Sequence, residues 1–491
     1  MPARMQFDFS LRPAQAQRKA SSAPMRLLLL GDFSALTKSA PLPLAERKTL
    51  RVDLDNLDDQ LQRLAPCLQL PAGELTFNSV DDFHPDRLVA RLPVFAALRD
   101  MRRRLLDPTS FAQAAAELGQ CVVPDEAAAA APTAKPAPDD DLLTNLLGGK
   151  PAGLKAAAGA PSAAPSAAPT AASGIDAFIR NMVAPHVVPN IAPQQASYVA
   201  SIDMAMSETL RAILHAPEFQ SLESAWRGVQ WLISSLELDE SLQLHLFDAK
   251  QDELLDDVVA AQGQIENTGT YRALVDRWRN QPGGDGWTAI VCLYNFGPAV
   301  QDMGLLAALG VVASQAGGPL LAGGDQALAA APSDALDGWT MLRQSEVARW
   351  IGLAAPRVLL RLPYGKASDP VEAIAFEELR ATPDHEQFLW GNGALACALL
   401  MGRAFSANGW QFSPGDEREI GDLPAYTVLR DGERELQACA EHYLGDQGGE
   451  ALLAAGLMPV VSHRHANAVT VMRFQSVAEK ATALAGAWGG G

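Results

Sequence analysis

Between Pro124 and Ser173 the chain is dominated by alanine, proline, serine and glycine. Such a stretch offers little apolar surface to set against the entropy of ordering a chain, so it predicts a disordered linker. A flexible segment of that length spans on the order of 40 Å. This feature constrains the fold most, because it cuts the 491 residues into two parts that must each find a core or share one. Four zones follow: an arm over 1–24, a first folded part over 25–123, the linker over 124–173 and a larger part over 174–491.

Both flanking parts read as α/β, and they are expected to pack together in spite of the linker, the first completing the second. Met25 to Leu30 is a continuous apolar run ending at Gly31-Asp32, as expected of a strand covered on both faces. Leu54 to Leu64 and His84 to Leu106 carry helical spacing, and Pro85 and Asp86 suit the first turn of the second helix. In the larger part, helices are expected over Ile202–Leu214, Leu222–Leu236, Gly304–Gln315 and Ala394–Ala407, the last stopped by Gly409. Strands are expected at Leu242–Leu246 (half-buried, since Gln243 and His245 alternate with leucines), Trp287–Phe296, Pro319–Ala322 and Arg357–Leu362. Asp431-Gly432 predicts a hairpin turn, and Met458–Ser462 with Val469–Phe474 a closing strand pair. The β-α-β order predicts a parallel sheet with crossover helices. Phe219, Trp226, Trp231, Trp390 and Phe405 are expected in cores or subunit contacts.

The formal net charge of −18 disfavours nucleic acid and anionic lipid as partners. No apolar stretch reaches the ~20 residues of a membrane helix, and no signal peptide precedes the first strand, so neither membrane insertion nor export is expected. Five scattered cysteines without a CxxC pair predict neither a disulfide framework nor a structural zinc site, consistent with a cytoplasmic protein.

Motifs for chemistry are weak. Gly365-Lys366 and Gly149-Lys150 lack the context of a phosphate loop, and Gly317-Gly318 and Gly323-Gly324 read as tight turns. The acids and imidazole of Asp81 to Asp86 precede a helix, where capping accounts for them. His463 and His465 lack a third metal ligand nearby, and a solvated turn is expected. Glu377-Glu378 reads as a solvated acidic pair. No GxSxG elbow is present. No catalytic, cofactor or metal residues are assigned, and no enzyme activity is expected.

Three features suit partners. Phe7 and Phe9, with Met5 and Leu11, alternate with polar residues as in a strand that pairs within its own chain or completes a neighbour's sheet. Arg99, Arg102 and Arg103, followed by Arg104, either suit a helix C-terminus or form a basic patch for an acidic partner. Leu142, Leu143 and Leu146, after three aspartates in the linker, form either a transient helix or a docking helix.

Longer motifs then point to a family. Leu30-Gly31-Asp32-Phe33-Ser34, Val52-Asp53-Leu54-Asp55-Asn56-Leu57-Asp58-Asp59 and the Asp81–Asp86 run make residues 26–118 similar to the small subunit of the type VI secretion contractile sheath (TssB-like). The run His215–Gly228, with Arg361-Leu362-Pro363-Tyr364-Gly365-Lys366, Phe376-Glu377-Glu378 and Leu389-Trp390-Gly391-Asn392, makes residues 175–476 resemble the large subunit (TssC-like). The resemblance implies a non-catalytic, cofactor-free cytoplasmic protein that assembles with sheath subunits or copies of itself around an inner-tube protein. It further implies contacts with the baseplate and with an AAA+ unfoldase that recycles the sheath. Two departures stand out: both parts share one chain, and the large-subunit-like part lacks the C-terminal extension expected of that family. A sheath-like adaptor or regulator, and a small-ligand module built on the Trp287–Ala322 region, are the competing readings.

Overall fold

A continuous apolar strand needs cover on both faces, and Met25–Gly31 finds it inside a sheet built mainly by the other half of the chain, third from one edge. The computed structural model describes residues 11–15, 19–20, 22–35, 42–119, 195–330, 337–380, 383–430 and 433–488. Phe7, Phe9, Leu142, Leu143 and Leu146 lie outside these residues, as does the linker.

The first part contains β1 (Met25–Gly31), β2 (Leu50–Val52), α1 (Leu57–Leu64), the hairpin β3 (Cys67–Leu70) and β4 (Gly73–Thr76), then α2 (Pro85–Arg91), α3 (Pro93–Leu106) and α4 (Phe111–Gly119). The second opens with α5 (Gln195–Leu214) and α6 (Pro217–Ser235), followed by β5 (Leu242–Asp248), α7 (Gln251–Ala260), β6 (Ala289–Phe296), α8 (Val300–Ala316), β7 (Leu320–Gly324), α9 (Asp337–Gln344) and β8 (Ile351–Ala355). It continues through β9 (Val358–Leu359), β10 (Trp390–Gly391), α10 (Gly393–Asn408), β11 (Glu419–Ile420), β12 (Thr427–Arg430), β13 (Glu433–Leu436), α11 (Asp446–Ala454), β14 (Leu457–Ser462) and β15 (Val469–Val471).

Among the described residues one nine-stranded sheet dominates, in the order β11-β15-β14-β8-β7-β6-β1-β5-β2. β1 pairs in parallel with β5 from Met25↔Leu242 to Gly31↔Asp248, and with β6 from Leu27↔Ala289 to Leu30↔Cys292. The strands from β14 to β5 are parallel, and antiparallel pairs close both edges. Period-2 alternation splits β1 between two cores. Leu27 and Leu29 face the layer of α6, α10 and the helices of the first part, whereas Leu28 and Leu30 face the layer of α7, α8 and α9. The α/β class expected from the sequence is therefore realised as one sheet covered by helices on both faces.

Helix ends follow local chemistry. The Asn392 side chain caps α10 by accepting from the Ala394 amide at 2.9 Å, and Gly409 (φ 55°) stops it. Gly228 lets α6 and α10 touch: a Cβ there would lie 2.6 Å from Leu395 Cδ1. The hairpin pairing of β12 with β13 and the β14–β15 closing pair match the sequence reading.

Three expectations are corrected. The helix over His84–Leu106 is two helices, because Pro93 holds Leu92 extended (ψ 129°) and offers no amide to bridge the break. Arg357–Leu362 contributes only the two residues of β9, paired with β10 outside the large sheet. The sheet strand is Ile351–Ala355, whose glycine and alanines carry little β signal. β5 is buried on both faces instead of one, with Gln243 held by Arg26 Nε at 3.1 Å and His245 edge-on to Trp278 and Trp287. Burial lowers the His245 pKa to about 4, with Arg26 and Arg51 adding to the shift, so the ring is neutral near pH 7.

Candidate functional site

The side chains that join the two parts begin with the Leu30–Ser34 motif. Directly after β1 the backbone turns, and Asp248, at the end of β5, accepts from the amides of Phe33 (2.8 Å) and Ser34 (3.1 Å) and from Ser34 Oγ (2.7 Å). Trp226 of α6 donates its indole N–H to Phe33 O at 2.9 Å and meets the Phe33 ring edge-on at 5.6 Å. Phe77 and Phe83 stack on each other and pack against Phe219 of α6. Arg47 forks onto Glu253 at 2.6 and 2.9 Å. Asp86 accepts from the amides of Glu372 and Ala373 at 3.2 and 2.8 Å. Phe219 and Trp226 are fully buried, Trp390 and Phe405 nearly so, and Trp231 packs partly buried against the same core.

Beneath this joint lies a buried ionic network. On α6, Glu223 shares the apolar stripe of Phe219, Leu222 and Trp226, and is itself buried. A carboxylate placed there must be paired. Arg361 pairs it, donating Nε to Glu223 Oε1 at 2.8 Å and Nη2 to Oε2 at 3.2 Å. The same guanidinium donates to Glu378 at 2.7 and 3.0 Å. Arg227 Nε reaches Glu223 Oε1 at 2.7 Å, and its Nη2 reaches the Tyr364 hydroxyl at 2.8 Å. The Tyr364 amide donates to Glu378 Oε2 at 2.7 Å, and the Tyr364 ring lies 4.2 Å from the Arg361 guanidinium. Burial pushes the Glu378 carboxyl up, but the charge of Arg361 and the hydrogen bonds of His215 and Arg361 outweigh it and hold the group down at about 2. Desolvation opposes the charge on Arg361, but the two carboxylates dominate and raise its pKa further. Two carboxylates thus face two guanidinium groups in a neutral closed set. The expected solvated Glu377-Glu378 pair is corrected at Glu378, because the segment after Tyr364 folds back and lays that side chain against Arg361.

A cleft of about 630 Å³ opens beside the network, at the carboxyl ends of β1 and β6. Asp32, Tyr294 and Asn295 form its floor, and Arg211, His215, Arg357, Glu386 and Trp390 line its walls. Burial, with the Asp248 charge adding to it, raises the Asp32 carboxyl to about 6. Asn392 bridges the floor, donating to Tyr294 O at 3.1 Å and Asn295 Oδ1 at 3.2 Å. At the mouth, His385, Glu441 and His442 bring three potential metal-binding atoms within 4.8 Å of one another.

The other candidates resolve as follows. Arg102 pairs with Asp203 of α5 at 2.6 Å, Arg103 is exposed and pairs with Asp100, and Arg104 pairs with Glu117 at 2.6 Å. Arg99 is exposed, and its Nε donates to Phe95 O at 3.3 Å. Within the Asp81–Asp86 run, Asp82 and His84 serve local structure, Asp82 accepting from the Asn78 amide and pairing with Arg91 while His84 caps α2, and Asp86 reaches across to the second part. His463 and His465 are exposed in a turn, with His463 Nε2 2.8 Å from Thr470 Oγ1. The residues of the ion network fell within motifs already singled out, but their pairing was missed. The available signal was Glu223 itself, a carboxylate on an otherwise apolar helix face.

Comparison with known proteins follows the same division of the chain. Residues 1–123 match the family described as type VI secretion system, VipA, VC_A0107 or Hcp2. Residues 196–333 and 329–478 match the family described as EvpB/VC_A0108, tail sheath N-terminal domain. The type VI secretion system sheath protein TssC1 of Pseudomonas aeruginosa PAO1 is 29% identical over 306 residues, which is 58% of this chain and 61% of that protein. The sheath protein TssB1 of the same organism is 25% identical over 152 residues, 28% of this chain and 88% of that protein. The chain therefore spans about three fifths of the length of its TssC1 relative. With more than half of its residues matched by the tail sheath model, and its first 123 by the VipA model, the chain belongs to the type VI secretion tail sheath family.

Proposed function

We propose that this chain is a structural component of a type VI secretion contractile sheath, in which a small-subunit-like and a large-subunit-like segment act together as one covalent protomer. The observation that carries the reading is the position of β1, a strand of the first segment lying between β5 and β6 of the second. A protomer made this way has fixed stoichiometry and cannot lose its small subunit. The closed ion network and the cross-segment pairs supply rigidity, which suits a body that transmits force. Contraction then proceeds by re-docking of such bodies between two packings close in free energy.

The chain acts without catalysis or cofactor, in the cytoplasm, with sheath subunits or copies of itself, an inner-tube protein and the baseplate as partners, and an AAA+ unfoldase as recycler. Membership of the tail sheath family supports assembly with such subunits. Among the described residues no helix is long and apolar enough to cross a membrane. The test is negative-stain electron microscopy of the purified chain, alone and mixed with ordinary small and large sheath subunits. Hollow tubes, or incorporation into tubes of the ordinary subunits, are expected. Particles that neither polymerise nor associate with either subunit contradict the proposal.

A further inference from the structure

The group at the cleft mouth has no part in joining the two segments. His385 sits in the short helical turn His385–Gln387, pinned by the Trp390 indole N–H donating to His385 O at 2.7 Å. Glu441 is brought to it from a distant segment, anchored by its amide donating to Arg357 O at 2.9 Å. His385 Nε2 lies 3.4 Å from Glu441 Oε1, and His442 Nε2 lies 4.0 Å from the same oxygen. Tetrahedral zinc with bonds of ~2.0–2.1 Å sets its ligand atoms about 3.3–3.4 Å apart, so the His385–Glu441 pair is already spaced for it, the His442–Glu441 pair needs a small closure and the two imidazoles lie within 4.8 Å of each other. Glu386 Oε1, 3.0 Å from His385 Nε2, is a candidate fourth ligand. On the other side of the ring, His385 Nδ1 lies 3.2 Å from Asp384 Oδ1, an outer carboxylate of the kind that orients metal-bound imidazoles.

The electrostatics agree. Three carboxylates (Asp384, Glu386, Glu441) face one guanidinium, Arg357, which pairs with both Glu441 and Glu386, so the neighbourhood carries excess negative charge. The His385 and His442 side chains are 40% and 46% exposed, which leaves an entry path and room for water at an open position.

We propose that His385, Glu441 and His442 form a binding site for a divalent borderline metal ion, zinc foremost, with Asp384 orienting His385. Two imidazoles and a carboxylate select zinc or its neighbours over magnesium or calcium, which prefer all-oxygen cages. The ion clips the Glu441–His442 segment to the 384–387 turn at the rim of the cleft.

The test uses the full chain, stripped with chelator. Calorimetric titration with Zn²⁺ is expected to show a single equimolar step, and Co²⁺ the visible absorption of a low-symmetry site. His385→Ala and His442→Ala are each expected to abolish both signals, and Asp384→Asn to weaken zinc binding about 10–100-fold. The double variant His463→Ala/His465→Ala, which removes the exposed turn histidines, is expected to leave both unchanged. These side chains are half-exposed, and unchanged circular dichroism melting without metal establishes that each variant folds. The proposal is overturned if the unaltered chain takes up no zinc in an equimolar step, if that step survives loss of His385 or His442, or if it disappears with the His463/His465 pair instead.

Discussion

The Arg361 guanidinium joins a helix carboxylate, Glu223, to a loop carboxylate, Glu378. Removing one member of a buried set strands charge that its partners had neutralised. Arg361→Met is therefore expected to destabilise the chain by about 3–5 kcal/mol, read as a lowered urea midpoint with unchanged slope. A loss below about 1 kcal/mol would mean that the carboxylates reach water. Asp32 behaves oppositely. Its folded pKa, raised from 3.8 to about 6, means that the folded state binds a proton between those values while the unfolded state does not. Its contribution to stability therefore falls as pH rises from about 4 to 6 and stays unfavourable above. Asp32→Asn is expected to raise the melting temperature at pH 7, by up to about 3 kcal/mol equivalent, with the gain shrinking towards pH 4. An equal gain at both pH values would contradict the assignment. The fate of the acidic pair was not legible in the sequence: adjacent acids read as solvated, and only the return of the chain after Tyr364 buries Glu378. Nor was the His385–Glu441–His442 group, because His385 is distant in sequence from the adjacent Glu441 and His442.

At the scale of elements, β1 was readable because an unbroken apolar run bounded by Gly31-Asp32 admits one environment, a strand covered on both faces. What the run could not reveal was whose sheet would cover it. β8 went unread because Ile351-Gly352-Leu353-Ala354-Ala355 carries no β-branched or alternating pattern beyond its first residue, and tertiary pairing decides its state. The break at Leu92-Pro93 was legible from the proline and was overridden by the helical spacing on either side of it. Placement of β1 makes a sharp prediction. All nine tryptophans lie at or after Trp226, so every one belongs to the second segment, Trp226 and Trp410 touching the first. Leu29→Ala in β1 is expected to cost about 2–5 kcal/mol and to lower the unfolding midpoint seen by tryptophan fluorescence by as much as that seen by circular dichroism. An unchanged tryptophan midpoint would mean that the second segment folds without β1.

At the scale of the molecule, the composition marks two parts and a linker, while the described residues of both parts join in one sheet and a shared core. Separating segments by composition is reliable for locating low-complexity sequence and says nothing of which cores merge across it. The central claim, that the two segments are one folded body, is tested most directly by inserting a protease site between Pro124 and Ser173, cutting the purified chain and passing it over a sizing column. The two fragments are expected to co-elute as a single species at the uncut volume, and to separate only under denaturing conditions. Elution of two independently folded fragments would contradict the account, because a sheet that loses the interior strand β1 leaves β5 and β6 without their shared partner.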